Sequence, residues 1–252
     1  MHELLLFGQI PPSRHGQILN ILIGVATMQP VSLFEKHLVF RPNKAPSSVQ
    51  GELSYMQLVA DVAASPNKES SQEDVDVDMD HEENEGLNAA QALSQGKDTK
   101  KERWILQFRD LPEVARPRAV TSRLISDVPI ISGDPIKFMS ALDYSHTSSY
   151  LLKGHRFTHL STNIQIYRLS IPPLSLSQNS ASSASTIAND PMTRLLDPSG
   201  TYVLQASVRV EDGSKVETMT RGVNELLNLK ETLKGVVELE MKNRLALDTR
   251  AR

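Results

Sequence analysis

Alternating apolar and polar positions dominate this chain, and helical periodicity breaks in near its two ends. Leu4 to Phe7 is apolar at every position, the pattern of a strand covered on both faces. Pro11 and Pro12 end it, and Ser13 is placed as the N-cap of a following helix. In that helix Ile18, Ile21, Leu22 and Val25 share one face, and Leu19, Ile23 and Ala26 widen it. A stripe this broad predicts deep burial, with the helix covering the outer face of the first strand. Gln29-Pro30 should stop the helix, because a residue before proline is pushed out of the helical region. Phe34 to Phe40 then returns as a strand.

Downstream the period is two. Leu53 to Val59 reads as a short strand or a turn of helix. Trp104, Leu106 and Phe108 alternate with Ile105 and Gln107. Ala119 to Val128 is a further strand. Ile136, Phe138, Ser140, Leu142 and Tyr144 alternate in the same way and predict another. Tyr150 to Leu160 is extended and polar on both faces. In Asn163 to Ile171 the apolar positions change phase, Ile164 and Ile166 on one face, Tyr167, Leu169 and Ile171 on the other. A bulge near Ile166 would bring both sets to one core. Tyr202, Leu204, Ala206, Val208 and Val210 form the clearest amphipathic strand, and Asp212-Gly213 a turn. A helix follows from about Val216, with Met219, Val223, Leu226, Leu227 and Leu233 on one broad side and Gly235 as its stop. Val236 to Met241 is a short extended run.

Two stretches carry no such pattern. Residues 62–101 are acidic, polar and almost free of large apolar side chains, and are expected to be disordered. Residues 174–191 form a Ser/Ala-rich low-complexity insert. Outside them the 252-residue chain suits a single domain, 1–252, with both segments as inserts. Eight or more strands, helices only near the ends, and no strand–helix alternation between them argue against a doubly wound parallel sheet. The expected fold is mainly β (α+β): an antiparallel many-stranded β-barrel, closed or nearly so, with the terminal helices packed on it.

Charge sharpens this only slightly. The formal net charge is −3, but Lys68 to Glu85 carries −8, which leaves the remainder at +5. That is well below the bias of a dedicated nucleic-acid binder, so no direct nucleic-acid binding is expected. Cysteine is absent, which excludes disulfides and thiolate metal sites. No stretch approaches the roughly 20 apolar residues of a membrane helix, and no secretory signal is read at the N-terminus, so neither membrane nor export is expected.

Candidate chemistry is thin. Glu238, Glu240 and Lys242 would share one face of a strand, as in the E-x-E-x-K rows with which triphosphate-tunnel enzymes, themselves antiparallel barrels, hold metal and phosphate. In those enzymes the row lies in an N-terminal strand, where this chain has Glu3 and then leucines. The tunnel also needs charged residues alternating into the lumen, and the clear strands here are expected to point apolar residues inward. The simpler reading is an exposed charged edge. Lys153, His155, Arg156 and His159 form a second cluster, in which His155 and His159 share a strand face. Without a third ligand it is a weak metal signal. It reads better as an exposed hairpin or edge strand that meets a partner, with nucleic-acid contact as the lesser alternative. Trp104 is expected to anchor the sheet. No catalytic, cofactor or metal residues are assigned.

Several stretches together resemble the family of subunit 18 of the Mediator transcriptional coactivator complex: Glu3–Pro11, Arg14-His15, Met28-Gln29-Pro30, Trp104 with Arg109-Asp110-Leu111-Pro112, Gly222–Leu226, Leu229-Lys230-Glu231 and Leu247–Arg250. The resemblance spans the chain apart from the two inserts. It implies a nuclear, non-catalytic structural subunit of the Mediator head module, a coactivator supporting regulated RNA polymerase II transcription. It implies a barrel distantly similar to the triphosphate-tunnel fold and no cofactor. The implied partners are Mediator subunit 20, as a heterodimer, the C-terminal helix of Mediator subunit 8, and RNA polymerase II through the head module. Lys153, His155, Arg156, His159, Leu226 and Leu233 are the candidate partner-binding residues. The runner-up is a metal-dependent triphosphate-tunnel phosphohydrolase.

Overall fold

In the first strand, β1 (His2–Ile10), Leu4, Leu6 and Ile10 face one way and Glu3, Leu5 and Phe7 the other, and all six are buried. A sheet with cover on both sides explains this, and the computed structural model, which describes residues 1–43, 54–61, 103–113, 119–172 and 193–249, supplies it. The strands are β1, β2 (Val31–Pro42), β3 (Met56–Asp61), β4 (Trp104–Arg109), β5 (Thr121–Ile130), β6 (Tyr144–His159), β7 (Thr162–Ile171), β8 (Arg194–Leu195) and β9 (Tyr202–Val210). The helices are α1 (His15–Ala26), α2 (Pro135–Ala141) and α3 (Val216–Thr232). Hydrogen bonding runs β6-β2-β3-β4-β5-β1-β9-β7 and returns from β7 to β6, antiparallel throughout. Eight strands therefore close into a barrel, the size at which side chains fill the interior. The two-residue β8 continues the wall beside β7 where β9 ends.

The outer wall carries two apolar patches, each under helical cover. Leu4, Leu6, Ile10, Ile164, Ile166, Leu204, Ala206, Val208 and Val210 meet Ile18 and Leu22 of α1 and Leu226 and Leu229 of α3. Each fully buried leucine here contributes about 1.5–3 kcal/mol. Gly222 lets α3 approach closely, since a Cβ there would lie 2.9 Å from Leu4 Cδ1. On the far side Met139 of α2 packs with Leu38, Phe40 and Leu58, and Trp104 and Leu106 border that cluster. Trp104 thus anchors the outer wall, as expected.

Five expectations are corrected. Pro135–Ala141 forms a helix where the alternation predicts a strand from Ile136 onward. Asp134 accepts hydrogen bonds from the Ile136 and Lys137 amides as a true N-cap, and Pro135 opens the first turn. The alternation there is incidental, since Phe138 and Leu142 are exposed while Met139 is buried. No bulge occurs at Ile166. The β6–β7 register is continuous, because Ile164 and Ile166 serve the outer core while Tyr167 and Leu169 face inward. Ser13 is not the N-cap. A 3-10 turn at Pro12–Arg14 precedes α1, and Arg14 occupies the cap position. The helix also ends before Gln29-Pro30, at Thr27 with φ 53°. Finally, the apolar row of β9 points out to the helices rather than into the lumen. The two inserts, 62–101 and 174–191, lie outside the described residues.

Candidate interaction surface and barrel lumen

Register fixes what faces inward. Glu3 stands opposite Arg123, and Gln107 opposite both Asp127 and Gln57. His37 stands opposite Tyr150, Gly154 opposite Tyr167, and Gln165 opposite Gln205. By strand alternation all of these lie on the face away from the helices. The lumen therefore carries polar residues beside Leu5, Val59, Ile125 and Leu152, where the pattern predicts apolar ones alone, and the acids Glu3, Glu35 and Asp127 each have a partner. Arg123 holds Glu3 at 2.7 Å. Asp127 is gripped by Arg109 through Oδ1 and by Arg209 through Oδ2 at 3.0 Å. Glu35 meets His37 Nε2 at 2.9 Å. The Tyr150 hydroxyl donates to Gln57 Oε1 at 3.1 Å, and the Tyr167 hydroxyl to Gln205 Oε1 at 3.1 Å. Burial, with Glu35 nearby, pushes the Tyr150 phenol up to about 12, and burial raises Tyr167 further. Both remain neutral donors at any physiological pH.

This arrangement can hold a barrel in shape, and its carboxylates are already committed. Glu3 and Asp127 each answer a guanidinium of the chain itself and Glu35 contacts the His37 imidazole, so a metal ion would have to displace a guanidinium or imidazole. Among the described residues no group of three or more metal-ligating side chains comes together.

The Glu238-Leu-Glu240-Met-Lys242 row stands exposed at the rim of the barrel, with Glu240 opposite Phe7 and Leu239 turned into the outer cluster. Its backbone pairs with β1 only at Phe7, where Glu240 exchanges both amide hydrogen bonds. Leu239 is buried, and Glu238, Glu240 and Lys242 are exposed. These three, with Phe7, Gln9 and Arg14, line an open cavity of about 370 Å³. Two carboxylates, two cations and an amide around open space set a mixed electrostatic environment, not a metal cage.

The second cluster is split by its strand. Lys153, His155 and His159 face outward and Arg156 inward. His155 and His159 are four residues apart, about 13 Å along a strand, with buried Phe157 between them. They are not brought together. Nor is this an edge strand, because Leu151–Arg156 is hydrogen-bonded to β2 on one side and β7 on the other. Leu226 and Leu233 are wholly buried between α3 and the wall and present nothing to a partner.

What Lys153 and His155 do join is a surface that local sequence does not announce. Lys153 stands beside Arg168 across the β6–β7 ladder. The Arg168 guanidinium lies 4.3 Å over the Tyr202 ring, and His15 stacks on Tyr202 at 3.9 Å. His155 approaches His15 at 5.6 Å between ring centroids. Burial lowers the pKa of both imidazoles, and for His15 the neighbouring His155 and Arg168 lower it further. His15 Nε2 and His155 Nδ1 are buried without a hydrogen-bond partner. The residues come from α1, β6, β7 and β9, at positions 15, 153, 155, 168 and 202, and no spacing in the sequence links them.

Comparison with known proteins agrees with this architecture. The profile of a family described as Med18 protein matches residues 2–250. Mediator of RNA polymerase II transcription subunit 18 from Aspergillus clavatus is 32% identical over 100% of both chains. The protein of the same name from Neosartorya fischeri is 33% identical, again over 100% of both. A chain in the structure of the Schizosaccharomyces pombe Mediator head module shares the fold, with a TM-score of 0.69 at 18% identity, covering 96% of this chain and 99% of that one. With a barrel whose inward acids are paired, under two helical covers, and a family match that runs from one end to the other, the chain belongs to the Med18 protein family.

Proposed function

We propose that this chain is a non-catalytic structural subunit of the Mediator head module, acting in the nucleus as a coactivator component in RNA polymerase II transcription. One observation carries the non-catalytic part of the reading. Glu3, Glu35 and Asp127, inward carboxylates of the kind a tunnel enzyme would need free, are held by Arg123, His37, Arg109 and Arg209. The family match and the relatives' names support membership in the complex. Within it the chain pairs with Mediator subunit 20, holds the C-terminal helix of Mediator subunit 8, and reaches RNA polymerase II through the module. The outward face at Lys153 and His155 is its partner-facing surface, with no membrane or direct nucleic-acid contact.

Co-expression with Mediator subunits 20 and 8 followed by size exclusion tests this. Co-elution of the three is expected, and a chain that elutes alone and monodisperse overturns the reading. Incubation with a nucleoside triphosphate and Mn²⁺ tests the enzymatic alternative. Phosphate release lost in Glu238→Ala or Glu240→Ala would revive the phosphohydrolase.

A further inference from the structure

The Lys153–Arg168 pair is electrostatically odd. Like charges directly opposite on a sheet destabilise it, yet these two stand opposite on the outer wall. The neighbours that shift His15 electrostatically are His155 and Arg168, with no carboxylate among them. The lumen shows the contrast, since its arginines are matched to acids. Beside this unbalanced charge sit two buried imidazole nitrogens without partners, at His15 Nε2 and His155 Nδ1. A buried polar atom left unpaired destabilises the fold, and an incoming hydrogen-bond partner would relieve this.

The geometry points to the face formed by Lys153, Arg168, His15, His155 and Tyr202 as a docking surface for an acidic peptide segment of a partner polypeptide. The inference rests on the reading of this chain as an interaction subunit and names the partner's chemistry. Carboxylates would receive the Lys153 ammonium and the Arg168 guanidinium, which is already held flat on Tyr202. The imidazoles would donate to the same segment. The natural competitor is the chain's own acidic run, Glu69–Glu85. It follows β3, whose last residue, Asp61, is aligned through Glu35 with Leu152, about 10 Å away at two strand spacings. Charge neutralisation alone would be met by any acidic run. The two unpaired nitrogens call for a hydrogen-bond partner held in place, and an ordered partner segment, with donors and acceptors along its backbone, supplies one.

The test uses the full chain and a fluorescein-labelled sixteen-residue peptide alternating Glu and Ala, read by anisotropy at several salt concentrations. Binding that weakens with salt is expected, and Lys153→Glu and Arg168→Glu should each weaken it about tenfold. Lys153 is exposed, so Lys153→Glu reports on docking even if Arg168→Glu disturbs folding through Tyr202. No binding at low salt, or affinity unchanged in Lys153→Glu, overturns the proposal. Binding seen only after deletion of residues 68–86 also overturns it, because the chain's own run is then the occupant. Co-elution of Lys153→Glu with Mediator subunits 20 and 8 is scored separately. If the assembly persists while the wild-type chain ignores the peptide, this inference fails and the structural-subunit reading stands.

Discussion

Glu3 and Arg123 face each other across the β1–β5 ladder, and the guanidinium holds the single carboxylate oxygen Oε2 through Nε at 2.8 Å and Nη2 at 2.7 Å. Both side chains are largely buried. Removing one partner strands a charge inside the barrel. Arg123→Met should therefore lower unfolding free energy by about 3–5 kcal/mol, while Glu3→Leu combined with Arg123→Met should recover much of that loss. Urea denaturation of the two variants beside the parent decides it.

Leu226 separates core from interface. Its exposure is 0%, and it packs in the cluster shared by α1, α3 and the wall. Leu226→Ala should cost about 2–5 kcal/mol through lost burial and the cavity left behind. Val216, at 78% exposure on the same helix, should tolerate Val216→Ala within about 0.5 kcal/mol. Equal effects in chemical denaturation would mean that α3 does not pack as described.

The cap on α2 makes a smaller claim. The Asp134 carboxylate receives the amides of Ile136 and Lys137, at 2.9 and 3.3 Å. Asp134→Ala should cost about 1 kcal/mol, and hydrogen exchange should rise locally over residues 135–142. A change spread over the whole barrel would show that α2 is not the unit being capped.

Acid should weaken the fold through its histidines. His15, His155 and His146 all have pKa values lowered by burial, His15 also by His155 and Arg168, and His146 also by Lys36. A group with its folded pKa below its unfolded one binds fewer protons in the native state. Its contribution is intact above pH 6.5 and lost as pH falls through the lowered value. The denaturation midpoint should therefore fall between pH 7 and pH 5.5, and less steeply in the double variant His15→Gln, His155→Gln. An unchanged slope would remove these two residues as the cause.

Much of this was readable before any coordinates. The two runs with helical period became α1 and α3, because seven apolar residues in twelve positions and a stripe at three- and four-residue spacing leave little alternative. β4 and β9 followed period two, and the unbroken apolar run of β1 marked a strand covered on both faces. The segment 136–142 misled because a seven-residue helix spans about two turns, too short for its period to outweigh a chance alternation. The Asp134-Pro135 cap was the signal to use. The basic face escaped because residues 153, 168 and 202 meet only through register across β6, β7 and β9, and residue 15 only through the packing of α1 on that wall.

By itself the sequence determined where strands and helices lie and that each strand has two unlike faces, since periodicity is a local property. It also showed that no assembled catalytic motif is written in one stretch. Only the tertiary structure decided which face is inside. In a closed barrel with helices on its outer wall, both faces are buried, and hydrophobicity stops marking the interior. Leu4 and Val208 went outward under α3, while Glu3 and Arg209 went into the lumen to meet Arg123 and Asp127. Closure brought those ion pairs together from strands distant in the sequence, where mutual pairing offsets their desolvation.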